Sequence, residues 1–415
     1  MSSVRWKLIT LTYNVNGKQP NYDALANLLA DENLSGGDFV AIGLQELAHS
    51  DAMGTVPPEL TWSKHIAEWM KLRGCALIKS TYLASNRLLL FSKAEILPLI
   101  DRVDFRYLRS TMCGLAGYKG SIAVRIEFGG ENSSLCFITS HLFHSEKMYW
   151  KRVDQYRTSY ARSTFQDKES EGSKVVIWMG DLNWRVDTTT DSSKVAREVL
   201  GLEGNEKSIG KYLEANDQLK RAMTLDHAFY HFQEGPINFL PTYRLEVTYD
   251  LKRVPSWCDR ILYMKNDDLE LIRYNANTRI KESDHFPVIA EFACTFTKPL
   301  ASEFVQFLPL SIWYSGVPLS CRFRFRKNFW KREGSYKDWI GIYEKNICDV
   351  EAPLKYVFAL TTFDEVFEGE PTIVAEFSTL ESGLYTAAYF SYNRGCLVGF
   401  SSPFAVSAPQ TEFDY

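Results

Sequence analysis

Acids, amides and histidines stand at the ends of six apolar segments of this 415-residue chain. Val175–Met179 runs without alternation into Gly180, which is the pattern of a strand buried on both faces, and Asp181 and Asn183 follow at once. The other five segments carry Asn16, Glu46, His141, Asp259, and Asp284 with His285. One Asp and Asn after a glycine would be ordinary turn formers. Six such strand ends predict a shared site instead.

The chemistry of this set favours a hard metal ion and a hydrolytic reaction. Carboxylates and amides without a cysteine cluster suit Mg²⁺ better than zinc. Asp259 beside His285, if the fold joins them, would fix the imidazole tautomer and support its charged form. A second histidine, a carboxylate for water and an amide donor equip the site to hydrolyse a phosphate ester by direct attack of water. The stretch from Cys113 ends in Lys119 rather than an arginine, so no cysteine-based phosphatase is predicted.

Strands and helices that alternate along the chain must position these groups. An apolar pattern predicts six strands, at Lys7–Tyr13, Phe39–Leu47, Leu135–His141, Val175–Met179, Ile261–Met264 and Phe286–Phe292. Helical spacing predicts helices at Tyr22–Leu34, Trp62–Arg73 and about Glu146–Tyr160. Four cations of the last helix are expected on its solvated side: Lys147, Lys151, Arg152 and Arg157. The alternation predicts an α/β layered core.

Length, composition and charge describe a soluble chain of more than one domain. It has 45% hydrophobic and 24% charged residues. A net charge of −4 does not call for nucleic acid or an anionic membrane. We see no charged leader before an apolar run and no apolar stretch that could span a bilayer. Eight cysteines without CxxC pairs fit buried thiols in a reducing compartment.

Seven short motifs give the chain a family resemblance. They are TYNVNG (12–17), LQE (44–46), SHL (140–142), GDLNWRV (180–186), PTYR (241–244), VPSWCDRIL (254–262) and SDHFPV (283–288). In this order they resemble the inositol polyphosphate 5-phosphatases, a branch of the Mg²⁺-dependent endonuclease/exonuclease/phosphatase superfamily. The resemblance covers residues 5 to about 297. It implies a catalytic domain over residues 1–297, folded as a two-sheet α/β sandwich of the deoxyribonuclease I-like type.

The resemblance also implies where the metal ion binds. Glu46 is expected to hold Mg²⁺, with Asn16 close to it. Asp284 is expected to be a carboxylate of the metal site or one that supports it.

Roles at the scissile phosphate follow from the same resemblance. Asp181 is expected to orient or deprotonate the attacking water, and Asn183 to touch the phosphate. His285, supported by Asp259, should polarise the phosphate, with His141 assisting from the other side. The products would be free phosphate and an inositol lipid without its 5-phosphate, and no phosphoenzyme would form.

Cations are expected to recognise the phosphates that are not cleaved. The predicted substrate contacts are Lys119, Arg185, Tyr243, Arg244, Lys252 and Arg253. Four features depart from the family pattern: Tyr118 replaces an asparagine, Arg244 replaces a lysine, Phe286 replaces an arginine, and Leu245–Lys252 is short. These departures bear on which inositol phosphate is preferred.

A second domain is predicted over residues 298–415. Thr297-Lys298-Pro299 has the composition of a linker, and short alternating segments after it favour a β-sandwich. DWIGIYEKN (338–346) and SGLYTAAYFS (382–391) resemble the SKICH domain, which implies an all-β immunoglobulin-like sandwich. Arg322, Arg324 and Arg326 alternate with phenylalanines. That basic face is either a solvated surface or a contact for an anionic lipid or an acidic partner.

Together these features predict a Mg²⁺-dependent phosphoinositide 5-phosphatase acting on PtdIns(4,5)P2, with PtdIns(3,4,5)P3 as a second substrate. The alternatives are a nuclease of the same superfamily and a catalytically weak adaptor acting through the SKICH domain. The acidic net charge and the lack of a basic, aromatic groove disfavour a nucleic-acid partner. The expected partners are a phosphoinositide lipid or a soluble inositol polyphosphate, a peripheral membrane surface, and a protein bound by the SKICH domain. We expect a cytoplasmic protein recruited to the plasma membrane or endoplasmic reticulum.

Overall fold

The structure is a computed structural model. It describes residues 2–30, 34, 36–48, 61–111, 116–130, 134–166, 175–245, 249, 253–301, 304–310, 312–326 and 328–409, with the side chains of 111 and 116–118 excepted. The predictions for Cys113 and Lys252 lie outside these residues, and so does the side chain of Tyr118.

Two six-stranded sheets form the first part of the chain. One contains, in spatial order, β11 (Leu269–Ala276), β12 (Val288–Thr297), β1 (Ser3–Asn14), β2 (Phe39–Gln45), β4 (Asn86–Lys93) and β3 (Cys75–Leu83). The other contains β5 (Ile100–Thr111), β6 (Ala116–Phe128), β7 (Ser134–His141), β8 (Val175–Asp181), β10 (Asp259–Met264) and β9 (Phe232–Glu234). Only the central pairs β1–β2 and β7–β8 are parallel within these sheets, so their carboxyl ends meet at one edge.

The two sheets pack face to face through a shared apolar core. Its inward side chains include Leu8 of β1, Leu90 of β4, Val124 of β6 and Phe137 of β7. Near the carboxyl ends of the central strands the sheets come very close, because a Cβ on Gly43 of β2 would collide with Oγ1 of Thr139 on β7. Glycine at that position brings the two sets of strand ends within reach of each other.

Helices cover the outer faces of both sheets. They are α1 (Tyr22–Leu28), α2 (Thr61–Leu72), α3 (Tyr149–Ser163), α4 (Ser192–Leu200), α5 (Glu206–Asn216) and α6 (Gln218–Thr224). The predicted Asn21 cap is confirmed, since Oδ1 of Asn21 accepts from the Ala24 backbone N–H at 2.7 Å. The prediction of one helix over Tyr22–Leu34 is wrong, because α1 ends at Leu28 and Leu29 leaves the helical conformation.

Arg152 of α3 corrects another prediction. We expected it on the solvated side of the helix, but it is completely buried. Its guanidinium donates to the backbone oxygens of Phe143 at 2.9 Å and Ser145 at 2.7 Å. These carbonyls belong to the loop that follows β7 and have no strand partner there, so a buried donor replaces the water they would otherwise bind.

The C-terminal part is an all-β sandwich, as predicted. One sheet contains β13 (Val305–Phe307), β15 (Leu319–Phe325), β19 (Glu370–Phe377) and β18 (Phe363–Phe367). The other contains β14 (Trp313–Tyr314), β22 (Phe404–Ser407), β20 (Gly383–Ser391), β16 (Trp339–Glu344) and β17 (Lys355–Phe358), with β21 (Cys396–Phe400) also paired to β20. A short helix, α7 (Phe329–Glu333), lies between β15 and β16.

The sandwich packs on the ends of β3 and β5 that lie away from the strand ends described above. The Leu77 backbone N–H donates to Cys348 O at 2.7 Å, and the Val103 N–H donates to Arg394 O at 2.8 Å. Arg394 also donates to Oδ2 of Asp101 at 2.8 Å. Buried apolar residues of both parts form one continuous cluster. Within the described residues, no helix has the length and apolar character needed to cross a membrane.

Candidate active site

Strand ends from both sheets converge where the two parallel pairs finish. Register places Asn14 beside Gln45 at the end of β1 and β2, and His141 beside Asp181 at the end of β7 and β8. Asp259, at the start of β10, pairs with Asp181 across the second sheet. The predicted convergence of the six segments is therefore found.

Asp181 lies at the centre of this set and is buried. Its Oδ2 accepts from Asn14 Nδ2 at 3.0 Å and lies 3.2 Å from His141 Nε2. Burial alone would raise the pKa of Asp181, but neighbouring positive charges, among them those of His285 and Lys119, lower it well below its usual range. Asp181 is therefore ionised at neutral pH.

His285 and Asp259 form a buried pair on the other side of Asp181. Nδ1 of His285 lies 2.7 Å from Oδ2 of Asp259, which also accepts from Thr242 Oγ1 at 2.7 Å. Burial lowers the pKa of His285, but the Asp259 charge and hydrogen bond outweigh burial and raise it to about 9. The ring also packs against Tyr243, with centroids 4.6 Å apart and the ring planes tilted by 39°. The arrangement presents a charged imidazole whose Nε2–H is not used by Asp259.

His141 is held in the opposite state. Its pKa is lowered by burial and by the neighbouring Lys119 ammonium, whose Nζ contacts Nε2. Nδ1 lies 3.2 Å from Oδ1 of Asn86, and Nδ2 of Asn86 donates to Leu83 O at 3.0 Å. Because the Asn86 oxygen can only accept, it selects the tautomer with the proton on Nδ1.

Oxygen ligands suited to a metal ion lie beside these histidines. Within the described chain, two groups of three acids or histidines offer ligand atoms within 4.8 Å of one another: Glu46, His141 and Asp181, and Asp181, Asp259 and His285. Glu46 is the most open of the five, with its side chain 40% exposed. Oδ1 of Asp259 is buried without a hydrogen-bond partner. A carboxylate and amide set of this kind, centred on Glu46, Asp181 and Asn14, fits a divalent cation that prefers oxygen ligands.

The structure places Asn16 and Asp284, two residues predicted at the metal site, differently from Glu46 and Asp181. The Asn16 backbone N–H donates to Asn14 Oδ1 at 3.0 Å, and it is the Asn14 side chain that reaches Asp181. Asp284 belongs to neither group of three described above, and its Oδ2 lies 3.4 Å from Nε of Arg244.

Cations surround the open side of the site. The Arg185 guanidinium donates to Oδ1 of Asn183 and lies over the Tyr243 ring, 4.4 Å from its centroid. Lys119 reaches the site from β6, and burial lowers its pKa although Asp181 and Glu46 oppose that shift. Arg253 is exposed. Lys119, Arg185 and Tyr243 therefore lie together, whereas Arg244 is engaged with Asp284.

Several residues of the site were not predicted. Asn14, Asn86, Thr242 and Ser283 each bond one of the groups above or the strand that carries it, for example Ser283 Oγ donating to Asn14 O at 2.7 Å. Burial and the charges of Lys119, Arg185 and Arg253 lower the pKa of His144, which places that histidine beside the cations. For Asn14 a signal existed, because it stands in the TYNVNG motif two residues before Asn16.

Comparison with models of known families identifies the family of this chain. The model of endonuclease/exonuclease/phosphatase family 2 matches residues 11–291, and the SKICH model matches residues 305–406. The chain belongs to endonuclease/exonuclease/phosphatase family 2. Its site residues all lie within the matched region, and the C-terminal sandwich corresponds to the SKICH match.

Relatives within this family are phosphatases of inositol phosphates. The chain is 28% identical over 440 residues to a human phosphatidylinositol 4,5-bisphosphate 5-phosphatase A, covering 98% of this chain and 42% of that protein. It is 25% identical over 448 residues to mouse inositol polyphosphate 5-phosphatase K, covering 95% and 88%. The chain thus spans less than half of the human relative.

Solved structures show the same fold. The 5-phosphatase domain of SPsynaptojanin, in complex with inositol (1,4)-bisphosphate and calcium, is 28% identical, with a TM-score of 0.60 over 72% of this chain and 87% of that one. A Cimex nitrophorin ferrous NO complex, 22% identical with a TM-score of 0.57, covers 70% of this chain and 99% of that one. The nitrophorin likeness concerns the fold alone, which does not fix a function.

One family motif is structural in this chain. Arg260 of PSWCDR is completely buried and donates to both carboxylate oxygens of Glu234 at 2.6 Å and to Oδ2 of Asp217 at 3.0 Å. In the same motif the Trp257 indole donates to Phe239 O at 2.9 Å. Burial raises the pKa of the Cys258 thiol, which keeps it protonated. These three side chains hold β10 in place so that Asp259 reaches His285.

Proposed function

We propose that this chain hydrolyses the 5-phosphate of phosphoinositides with the help of Mg²⁺, by direct attack of water. The observation that carries the proposal is Asp181, an ionised buried carboxylate between a neutral His141 and a charged His285. A base and an acid held within one small site are what hydrolysis of a phosphate monoester requires.

Glu46, Asn14 and Asp181 would hold the metal ion. Bound Mg²⁺ would offset the negative charge of the phosphate and of the departing oxygen. Asp284, which we expected at the metal, is better placed to hold Arg244 near the substrate.

The proton transfers rest on the chain's own residues. Asp181 accepts a proton from water as the water oxygen attacks phosphorus, and the bond between phosphorus and the inositol oxygen breaks. Nε2–H of His285 donates to a phosphate oxygen, while Asp259 keeps that imidazole charged. Asn183 and Arg185 contact the same phosphate. The inositol oxygen takes a proton from solvent water as it leaves, and Asp181 releases its proton to solvent. No cysteine or serine is needed as a nucleophile.

The proposed substrate is PtdIns(4,5)P2, converted to PtdIns4P, with PtdIns(3,4,5)P3 as a second substrate converted to PtdIns(3,4)P2. Support comes from the human relative, a phosphatidylinositol 4,5-bisphosphate 5-phosphatase, and from the inositol (1,4)-bisphosphate bound by the related solved domain. Lys119, Arg185, Tyr243 and the exposed Arg253 are the groups proposed for the phosphates that remain. A soluble inositol trisphosphate is a second candidate, since a mouse type II inositol 1,4,5-trisphosphate 5-phosphatase is 32% identical over 298 residues, covering 68% of this chain and 29% of that protein.

We further propose that the protein works in the cytoplasm at a membrane surface, and that its SKICH domain serves partners. Arg322 and Arg324 give little support to a lipid contact, because they form ion pairs with Glu365 and Glu370 of the same sheet. A solvated face accounts for this stripe. We therefore propose that the open side of the active site contacts the membrane, and that the SKICH domain binds protein.

Phosphate release from a panel of lipids and soluble inositol phosphates tests the proposal. Wild type should release the 5-phosphate only with Mg²⁺, and His285→Ala and Asp181→Asn should each lose at least about a hundredfold in kcat. His65→Ala is the matched control, because His65 is an exposed histidine of α2 outside the site. Turnover in the presence of a chelator, or equal loss in His65→Ala, would contradict the mechanism. Cleavage of an abasic oligonucleotide instead would favour a nuclease.

A further inference from the structure

On one side of the C-terminal sandwich, one sheet is wider than the other. Strand β18 is the edge strand of its sheet and β17 is the edge strand of the other. β17 packs across from β19, the neighbour of β18. Among the described elements, β18 itself packs extensively only against β19, its partner in the sheet. One sheet therefore extends a strand beyond the other, and β18 forms a ledge over open space.

The underside of this ledge is apolar with one acid. Val366 and Asp364 pair with Pro371 and Ile373 of β19, so they point to the same face as Ile373. That face is the inner one, because Ile373 packs against the core of the sandwich. Val366 nevertheless remains 73% exposed and Asp364 is exposed as well. Inner-face residues stay exposed here because nothing in the described chain lies opposite them.

The edge of β17 next to the ledge offers free backbone groups. The Ala359 N–H donates to Asp338 O on the β16 side. Antiparallel strands bond through alternate residues, so Val357 and Lys355 also face β16, whereas the backbone groups of Tyr356 and Phe358 face the open edge. Of these groups, the Phe358 carbonyl already accepts from Oγ1 of Thr361 at 2.8 Å. The side chains of Tyr356 and Phe358 are 55% and 44% exposed and lie on the outer face of the sheet. Such an edge is a template for one more strand.

We propose that an extended, basic segment of a partner protein adds to β17 as a further strand and fills the space under β18. This strand would pair with the N–H and carbonyl of Tyr356 and with the N–H of Phe358, place apolar side chains against Val366, and place a lysine or arginine opposite Asp364. The sandwich would then be closed by two sheets of matching width.

Charge decides what kind of partner fits. The segment from Leu354 to Glu370 contains a single lysine, Lys355, and four acids. Glu365 and Glu370 are ion-paired with Arg322 and Arg324, which leaves Asp364 and Glu368. An anionic lipid surface would be repelled by these acids, whereas a cationic segment would be attracted. The proposal concerns the SKICH sandwich alone and does not depend on the phosphatase reaction.

Synthetic peptides of about nine residues, titrated into the full chain by fluorescence anisotropy, test the proposal. The first peptide has valine at every odd-numbered position. Its even-numbered positions are lysine and valine in turn. The second peptide has glutamate in place of each lysine. The third peptide has the sequence of the first but carries N-methyl groups on the backbone nitrogens along one edge. We expect saturable binding of the first peptide only, with at least a tenfold loss for the other two.

Variants of the chain locate the binding. Val366→Lys and Asp364→Lys should each weaken binding of the first peptide about tenfold or more. Val317→Lys is the matched control, because Val317 is a 46% exposed valine elsewhere in the sandwich, and it should bind like wild type. Phosphate release should be the same in all three variants, which confirms that each is folded.

Three results would overturn the proposal. One is equal binding of the first peptide by wild type and Val366→Lys. Another is binding of the glutamate peptide as tightly as the lysine peptide. The third is self-association of the full chain in sedimentation that Val366→Lys abolishes, since a second copy of the chain would then occupy the ledge.

Discussion

Asn86 Oδ1 lies 3.2 Å from Nδ1 of His141, and the two residues come from different sheets. The contact fixes which imidazole nitrogen keeps its proton, so Nε2 presents a lone pair to the site. A side chain at the start of β4 thereby controls a group at the end of β7. The carboxamide is itself oriented by the Leu83 carbonyl.

Replacing Asn86 should reduce turnover more than substrate binding. Asn86→Leu removes the acceptor, and we expect a loss of about 10- to 100-fold in kcat with little change in KM. Asn86→Asp keeps an acceptor in the same place and should retain more activity. The His141 tautomer can be followed through the imidazole nitrogen shifts by NMR. An unaltered tautomer in Asn86→Leu would contradict this role.

The pH dependence of activity should show an alkaline limb near the raised pKa of His285. The pKa of His285 is about 9 in the folded chain, against an ordinary value of about 6.5. A charged His285 should therefore persist through neutral pH, and kcat/KM should fall as pH rises through 9. Because the pKa of Asp181 is lowered, no acid limb from this base is expected near neutrality.

Substitution of Asp259 should move that limb. Asp259→Asn removes the charge that raises the pKa of His285, so the decline in kcat/KM should begin at lower pH.

The pair of His285 and Asp259 also links the stability of the fold to pH. A raised folded pKa contributes stability that is fully present below about 6.5 and lost as pH rises towards 9. Urea unfolding at several pH values measures this, and a profile identical to wild type in Asp259→Asn would refute it.

Arg260→Met should destabilise the fold. It leaves Asp217 buried without its cation and leaves Glu234 with Lys220 alone, which costs about 3–5 kcal/mol in the free energy of unfolding. Arg5→Met is the control, because the Arg5–Glu270 pair is exposed and is expected to contribute less than about 1 kcal/mol. Denaturant unfolding of both variants gives the comparison. Equal stability of the two would show that the buried cluster is dispensable.

Gly180→Ala should impair the site through the backbone. Gly180 has φ +145°, and an added Cβ would collide with the Ser140 carbonyl of the neighbouring strand. The strand must shift, which displaces Asp181, so we expect both lower stability and a large loss of kcat. Gly210→Ala is the matched control, since it lies in α5 with no atom within 4 Å of the new Cβ. That substitution should stabilise the chain by roughly 0.5–1 kcal/mol. Full activity in Gly180→Ala would contradict the argument.

The sequence by itself determined which strand ends carry polar groups. Glu46, His141 and Asp181 stand at the end of apolar segments, whereas Asp259 and His285 stand just before them, and adjacent strands can bring such ends to one edge of a sheet. Alternation of short strands after Phe296 likewise predicted the second, all-β domain. These features depend on neighbours close in sequence, so the pattern of residue types was enough to find them.

Only the tertiary structure decided which of several similar residues face the site. Asn14 rather than Asn16 reaches Asp181, because the chain turns at Asn16, where φ is +48°. Arg152 is buried by a loop carbonyl pair from a different element, and Arg322 is neutralised by Glu365 across the sheet. Asn86 contacts His141 from 55 residues away. Such contacts depend on packing between distant segments, which spacing along the chain does not encode.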